Sequence, residues 1–505
     1  MLLTIIICLP FFGALIIALL PRELRFGIRA VALMATLAAM LLGIVLFLKF
    51  QTGLPSYQFE LKQSWIESLR ISYHVGVDGL NIGLILMGAV VAFAAACVSW
   101  EIRTYEKEFY ILLLVMAGGI LGAFASLDLF FFYFFHELAL VPTFIMIGVW
   151  GRGENKNYAT FNITLYLSVG ALIALAGLIM LYLQPPPNSR SFDIADLITY
   201  FKINPMRSSA QEAIFPLLLF GFGILVSLWP FHTWAPLGYG AAPTGTAMLH
   251  AGVLKKFGVY GLIRIALPLM PQGAQSWIVV VAWLCLGNIV YCGWVAMRQR
   301  DLNLLLGNAS VAHMGFVFLG IASLGLIGVT GAVVVMVAHG FLAALSFGLS
   351  GYLYQHTGTL NLDQHGGLLR RLPFIGTLFV IAAFAGCGLP GFASFPGELL
   401  VLFGGWKNLQ PPVVFAAWGA LVIGSVYMLR AVRSILHGPL PEKWAFVQDA
   451  SLWRKTPFAL LAAALLLFGI WPRALTEKIK PSLGQMLPAQ PIVAFERATP
   501  RDNNK

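Results

Sequence analysis

The sequence predicts an all-α polytopic membrane protein of about 14 transmembrane helices, built around two inverted five-helix repeats. Three observations carry that reading. Hydrophobic residues make up 59% of the 505 residues and charged residues only 10%, against about 25% charged in a soluble domain. Apolar runs of about 20 residues, the length that crosses a bilayer, recur from end to end. Two of the runs are interrupted by proline, at LWPFHTWAP (228–236) and at CGLPGFASFPG (387–397). A transmembrane β-barrel would need short alternating segments, which this sequence does not offer.

The expected spans lie near 2–20, 29–48, 79–100, 109–126, 128–150, 159–183, 213–238, 242–264, 275–297, 302–324, 326–354, 372–404, 411–436 and 456–473. The apolar N-terminus has no basic lead-in and no small-residue cleavage site, so it reads as the first span rather than a removed signal. Residues 49–78 alternate apolar and polar side chains and read as a small ordered cap. Residues 184–212 carry QPPPNSRS and an amphipathic piece, FDIADLITYFK. The chain divides into 1–108 (three helices and a loop), 109–264 (first repeat), 275–436 (second repeat), 437–480 (a loop and the last helix) and 481–505 (a polar tail).

The repeats are read from the breaks. Each falls in the fourth helix of a five-helix set, helices 4–8 and 9–13, so helices 7 and 12 correspond. An odd number of helices per set turns the second set upside down. Discontinuous helices at matching positions of inverted repeats mark a transport site. Pro230, Pro236, Pro390 and Pro396 are the expected helix breaks.

Net charge is +11. The basic residues sit at span ends, so the excess reports topology rather than nucleic-acid binding. With the N-terminus outside, the cytoplasmic loops hold Arg22, Arg25, Arg29, Arg103, Lys107, Arg152, Lys156, Arg298, Arg300, Arg370, Arg371, Arg430, Arg433, Lys443, Arg454 and Lys455. The short outer loops hold Arg264 and Lys407. Both termini are therefore expected on the periplasmic side of a bacterial plasma membrane. Five cysteines are scattered through apolar runs with no CxxC pair, which argues against iron–sulfur or zinc ligation. No Walker or GxGxxG motif follows a strand. No metal or cofactor is expected in this chain.

A Lys at mid-membrane costs about 3 kcal/mol on insertion scales and marks function by default. Lys256 shares a helical stripe with Gly245, Leu249 and Gly252. Lys255 lies about 100° around the same helix and reads as structural or interface-facing. Glu137, in FFFYFFHELALVPTF, is a carboxylate at bilayer depth, with His136 pointing about 100° away. His250, His313 and His339 add groups that titrate near neutrality in three separate spans. His232 abuts the first break and reads equally as a relay group or a holder of freed backbone. Glu398 follows the second break and reads as a transfer group or a cap. The expected proton pathway is Glu137, Lys256, His313, His339 and Glu398, with His250, His232, Lys255 and Ser227 as additional candidates.

HTWxP (232–236), APTG (242–245), AGVLKKFGxYGLxR (251–264), HMGF (313–316), AHG (338–340) and GLPGFxxFxGEL (388–399) together resemble the antiporter-like proton-pumping subunits of respiratory complex I, NADH:quinone oxidoreductase. The likeness runs from about Leu2 through the last span, and GVDGLN (76–81) and LDLFFFYFFHE (127–137) fit it. The M-type, equivalent to mitochondrial chain 4, is the nearest pattern, because sister L and N types carry Lys at the position of Glu398. The resemblance implies 14 helices and proton translocation. It implies Glu137 as the fifth-helix glutamate, Lys256 as the central eighth-helix lysine and Glu398 as the twelfth-helix charge. It further implies L-, N- and K-type neighbours, with FMN, iron–sulfur clusters and quinone in partner subunits.

Three departures from the family pattern stand out. Leu225 stands where a Lys seven residues before His232 pairs with the fifth-helix Glu. Leu237, Gly238 and Tyr239 replace Asp-Ala-His. The basic pair after Asp301 is missing. Glu137 therefore needs another partner: water, His250 or a neighbouring subunit. Two other functions fit the same residues, a subunit of a multisubunit cation/proton antiporter and a non-pumping M-type spacer.

Overall fold

The computed structural model describes residues 1–54 and 56–487. Long apolar helices dominate it. Leu2–Leu19 (α1) and Arg25–Lys49 (α2) lead into a hairpin of Gln58–Ile66 (β1) and Ile71–Val77 (β2). Then follow Ile82–Val98 (α3), Glu106–Ala125 (α4), Leu129–Trp150 (α5), Lys156–Tyr182 (α6), the amphipathic Ile194–Ile203 (α7), Ser208–Val226 (α8) and Trp234–Ala241 (α9). A continuous helical run over 244–269 is α10. Pro271–Arg298 (α11), Leu302–Ala322 (α12) and Leu326–Thr357 (α13) come next. Pro373–Gly386 (α14), Ser394–Trp406 (α15), Gln410–Leu436 (α16), Leu452–Ile470 (α17) and Arg473–Met486 (α18) complete the chain.

Among the described residues twelve helices are long and apolar enough to cross a membrane. Two further segments, α10 and the pair α14–α15, occupy the positions expected for the eighth and twelfth spans. The helices α3, α12 and α13 are buried nearly all round, whereas α1, α2, α6, α11 and α16 expose broad apolar faces. A helix apolar on every side has no solvent face, so the exposed faces are those that meet lipid or neighbouring protein.

The hairpin is the ordered cap expected over 49–78. Its strands pair antiparallel, with Lys62 opposite His74, and the register shifts between Gln58 and Leu61 and between Ser64 and Ile66. Asp128 caps α5 by accepting from the amides of Phe130 and Phe131, and Asp193 caps α7 from Ala195 and Asp196. One boundary needs correction. The polar tail was expected from 481, but α18 continues to Met486. Its Leu475, Ile479 and Leu483 are buried, at the four-residue spacing that puts side chains on one helical face. The rest of that tail, 488–505, lies outside the described residues.

Candidate functional site

The site is organised by α10, which is fixed at both ends. At its start, Glu101 Oε1 accepts from the Thr244 amide at 3.1 Å and from Arg152 at 2.7 Å. Arg152 also donates to Thr244 Oγ1 at 2.5 Å. Near its far end, Arg264 makes a two-pronged contact with Asp78 at 2.6 and 2.7 Å, fully enclosed. Arg264, expected as an outer-loop residue, is thus a buried clasp, and Asp78 is its partner. Between these anchors Lys255 and Lys256 lie about 16–18 Å from Thr244, at 1.5 Å per residue.

Two π-helical turns interrupt α10, at His250–Leu254 and Leu262–Ala266. The Lys255 amide bonds to the His250 carbonyl, five residues back, at 3.0 Å. The extra residue per turn shifts the register that regular spacing assumes. Both lysines are buried, 1% and 0% exposed, because the helix is enclosed on every side from 244 to 267; of the two expectations for Lys255, structural or interface-facing, the second does not hold. Lys255 Nζ donates to Ser310 Oγ at 3.3 Å and sits over the Tyr239 ring at 5.5 Å. Gly252 allows α10 close to α13, since a Cβ there would lie 3.0 Å from the Gly340 carbonyl.

That approach sets up a row of four side chains. Lys256 Nζ lies 2.7 Å from His339 Nδ1 and donates to the Ala251 carbonyl at 2.6 Å. The His339 and His313 rings are 5.5 Å apart. His313 Nδ1 lies 3.5 Å from Glu398 Oε1. A narrow crevice lined by His313, Phe316, Cys387, Glu398 and Tyr427 adjoins the far end of the row. The structure therefore brings Lys256, His339, His313 and Glu398 together from four helices.

Glu137 stands apart. Its side chain is 33% exposed, and it lies along α5 with Phe134, Val141 and Ile145, which are exposed at bilayer depth. His136 Nδ1 lies 3.6 Å from its carboxylate. His136 itself is buried and stacks on Phe257 at 3.9 Å, next in sequence to Lys256. Sequence reasoning passed over His136 because it points away from Glu137, and that same angle carries it into the core. His250 packs between Trp234 and Tyr239, with ring centroids at 5.5 and 5.3 Å. Leu225 is enclosed in apolar packing.

The two helix breaks match in length, 227–233 and 387–393, and each restarting helix has proline as its third residue, Pro236 and Pro396. Those two prolines therefore sit in first turns, where the missing N–H is not needed, and only Pro230 and Pro390 lie within the breaks. Ser227 takes a left-handed conformation at φ 67° and its hydroxyl bonds to the Val226 carbonyl. His232 Nδ1 meets the Pro230 carbonyl at 3.2 Å. Asn288, absent from the sequence reading, clasps the first break: it accepts from the Trp229 amide and donates to the Ser227 and Val311 carbonyls, at 2.8, 2.8 and 3.2 Å. At the second break Gly388 has φ +66°, and a Cβ there would lie 2.5 Å from Glu398 Oε2. Among the described residues no group of His, Cys, Asp or Glu is arranged to hold a metal ion.

Paired broken helices flanking buried lysine, histidine and glutamate define a membrane protein of the antiporter-like class. The model of the family described as NADH:quinone oxidoreductase/Mrp antiporter, TM, matches residues 126–424. NADH-quinone oxidoreductase subunit M of Rhodobacter capsulatus is 33% identical over 497 residues, 96% of each chain. A chain of respiratory complex I from Thermus thermophilus with bound NADH superposes with a TM-score of 0.87 at 28% identity, covering 97% of this chain and all of that one. A chain of the Mrp complex from Dietzia sp. DQ12-45-1b shares the fold, with a TM-score of 0.79 at 18% identity over 96% and 97% of the two chains. The chain belongs to the NADH:quinone oxidoreductase/Mrp antiporter family. Within it, it is a multi-pass, M-type antiporter-like subunit of the complex I kind.

Proposed function

We propose that this chain translocates protons in the membrane arm of a complex I-like NADH:quinone oxidoreductase, through Lys256, His339, His313 and Glu398. The observation that carries the proposal is the 2.7 Å contact between Lys256 Nζ and His339 Nδ1. A nitrogen–nitrogen hydrogen bond needs a proton on one side and a lone pair on the other. The pair in this geometry cannot hold a proton on both facing positions, so a proton arriving at one nitrogen displaces one from the other. His313 then passes it toward Glu398.

Water completes the route in this reading. Tyr239 OH, His250 Nδ1, His136 Nδ1 and His313 Nε2 are buried with no protein hydrogen-bond partner. An unmet buried polar atom costs about 1–3 kcal/mol, and bridging water removes that cost. Glu137 joins the route from outside. A carboxylate exposed at bilayer depth beside Phe134 and Val141 is untenable against lipid, so a neighbouring membrane subunit covers it, and in this reading bridging water carries the route inward past His136, whose ring stacks on Phe257.

This reading puts L-, N- and K-type subunits alongside the chain and leaves FMN, iron–sulfur clusters and quinone to its partners. It classes the assembly as a translocase and this chain as free of redox centres. The basic span ends put both termini on the periplasmic side of a bacterial plasma membrane. The test is proton uptake per electron by the intact complex in vesicles. Lys256→Ala is expected to abolish or sharply reduce uptake, and undiminished uptake would refute the route. A second reading, a non-pumping spacer, is favoured by the buried Leu225. It predicts unchanged stoichiometry both in Lys256→Ala and in Leu225→Lys.

A further inference from the structure

On the basic side of the molecule an open groove of ≈ 810 Å³ runs between α2, α3, α13 and α17. Ligand sites occupy about 300–1,000 Å³, and this one lies in the upper part of that range. Its floor is apolar: Phe26, Leu33, Met34 and Leu37 of α2 face Phe93 and Phe458. From Phe26 to Leu37 the groove follows α2 for about 16 Å, from the end of the span into the bilayer. Its mouth is different in kind. Trp100 and Trp453 stand there, 41% and 86% exposed, as amphipathic rings do at headgroup level.

Arg454 lines the same mouth and is exposed, with Lys455 next to it in sequence. Among the described residues Arg454 has no acidic partner within ion-pair distance. The one acid in the wall, Glu101, is already committed: Oε1 to Arg152 and the Thr244 amide, Oε2 to Gln355. The mouth therefore presents a free positive charge above an apolar trough.

We propose that this groove binds one anionic phospholipid, its acyl chain lying along α2 and its phosphate at Arg454. Both the charge and the shape select it. A guanidinium offers a fork of donors to phosphate oxygens, and the trough accepts a hydrocarbon tail entering from the interface. The site also abuts working parts. Glu101 and Gln355 line it, and Glu101 fixes the first turn of α10. A bound lipid thus braces the anchor that holds Lys255 and Lys256 in depth. The proposal depends on the membrane placement of α2 and not on the proton route.

The experiment uses the intact complex containing the full chain, exchanged into nanodiscs of mixed phosphatidylglycerol and phosphatidylcholine, then stripped in mild detergent, with retained lipid counted by mass spectrometry. The unaltered complex is expected to keep one more phosphatidylglycerol than Arg454→Glu. Met34→Trp, which fills the trough from α2 and leaves the charges alone, is expected to lose the same one. Assembly is read in the same spectra, and Leu37→Phe replaces Met34→Trp should the latter not assemble. Equal phosphatidylglycerol in all forms, or phosphatidylcholine retained equally well, would overturn the proposal. So would a cross-link from Met34→Cys to a neighbouring subunit in native membranes, because protein would then occupy the trough.

Discussion

Lys256 Nζ and His339 Nδ1 meet at 2.7 Å across two helices, 83 residues apart in sequence. If the two act as one exchange unit, their effects should not add. His339→Leu is expected to slow coupled proton uptake by about 10²-fold, within the range for a lost proton-transfer group. Lys256→Met with His339→Leu should be no worse than the more severe single variant. Additive losses in vesicle uptake assays would separate the two residues.

Asn288 holds the first helix break through three backbone groups. Asn288→Leu preserves much of the volume and removes every bond. Each orphaned group costs about 1–3 kcal/mol, and no bulk water is at hand to replace the lost partner. The purified complex should unfold at a lower temperature in a thermal melt, and proton uptake should fall with it.

Arg264 and Asp78 form an enclosed ion pair. Removing one partner strands the other, at about 3–5 kcal/mol. Arg264→Met should sharply reduce the amount of subunit assembled in membranes, as measured by immunoblot. Adding Asp78→Asn to it should recover most of the loss, because the stranded charge is gone.

Gly388 is required twice, by its φ of +66° and by Glu398 Oε2, 2.5 Å from where a Cβ would sit. Gly388→Ala adds about 1–2 kcal/mol of backbone strain and pushes the carboxylate away from its contact with His313. Pumping should decline more than assembly does, a difference that the ratio of proton uptake to subunit content would reveal.

The β1–β2 hairpin should show a pH optimum. His74 Nδ1 meets Asp193 Oδ2 at 2.6 Å, Nε2 meets Glu60 at 2.7 Å, and Lys62 Nζ lies 2.7 Å from Asp193. Burial opposes charge on His74, but the hydrogen bonds and carboxylates of Asp193 and Glu60 outweigh it and raise its pKa above 6.5. Burial likewise opposes charge on Asp193, yet the bonds from His74 and Lys62 prevail and lower it to about 2. By linkage, the His74 contribution is complete below 6.5 and is lost as pH rises through its raised value. The Asp193 contribution is complete above 3.8 and is lost as pH falls toward about 2. Protease resistance of the hairpin should therefore be greatest between these limits and decline on the alkaline side, and His74→Gln should flatten that alkaline decline.

Much of this was legible in the residues. Hydropathy placed the helices because a bilayer admits backbone only when its polar groups are satisfied within the segment. The prolines and glycines of 228–236 and 387–397 located both breaks, and the scarcity of charge made Lys256, His313, His339 and Glu398 conspicuous. The tail boundary failed because Leu475, Ile479 and Leu483 form a helical stripe that a polar composition concealed.

What the sequence determined by itself is the set of ionisable groups that sit at bilayer depth, since hydropathy fixes depth residue by residue. The tertiary structure alone decided which of them meet. The enclosure of α10 on every side buried Lys255 with Lys256, Gly252 brought α10 against α13, and the outer face of α5 left Glu137 outside the row. Such choices depend on helix register and on the approach of distant segments, and these are set by packing across the whole bundle rather than by any local run of residues.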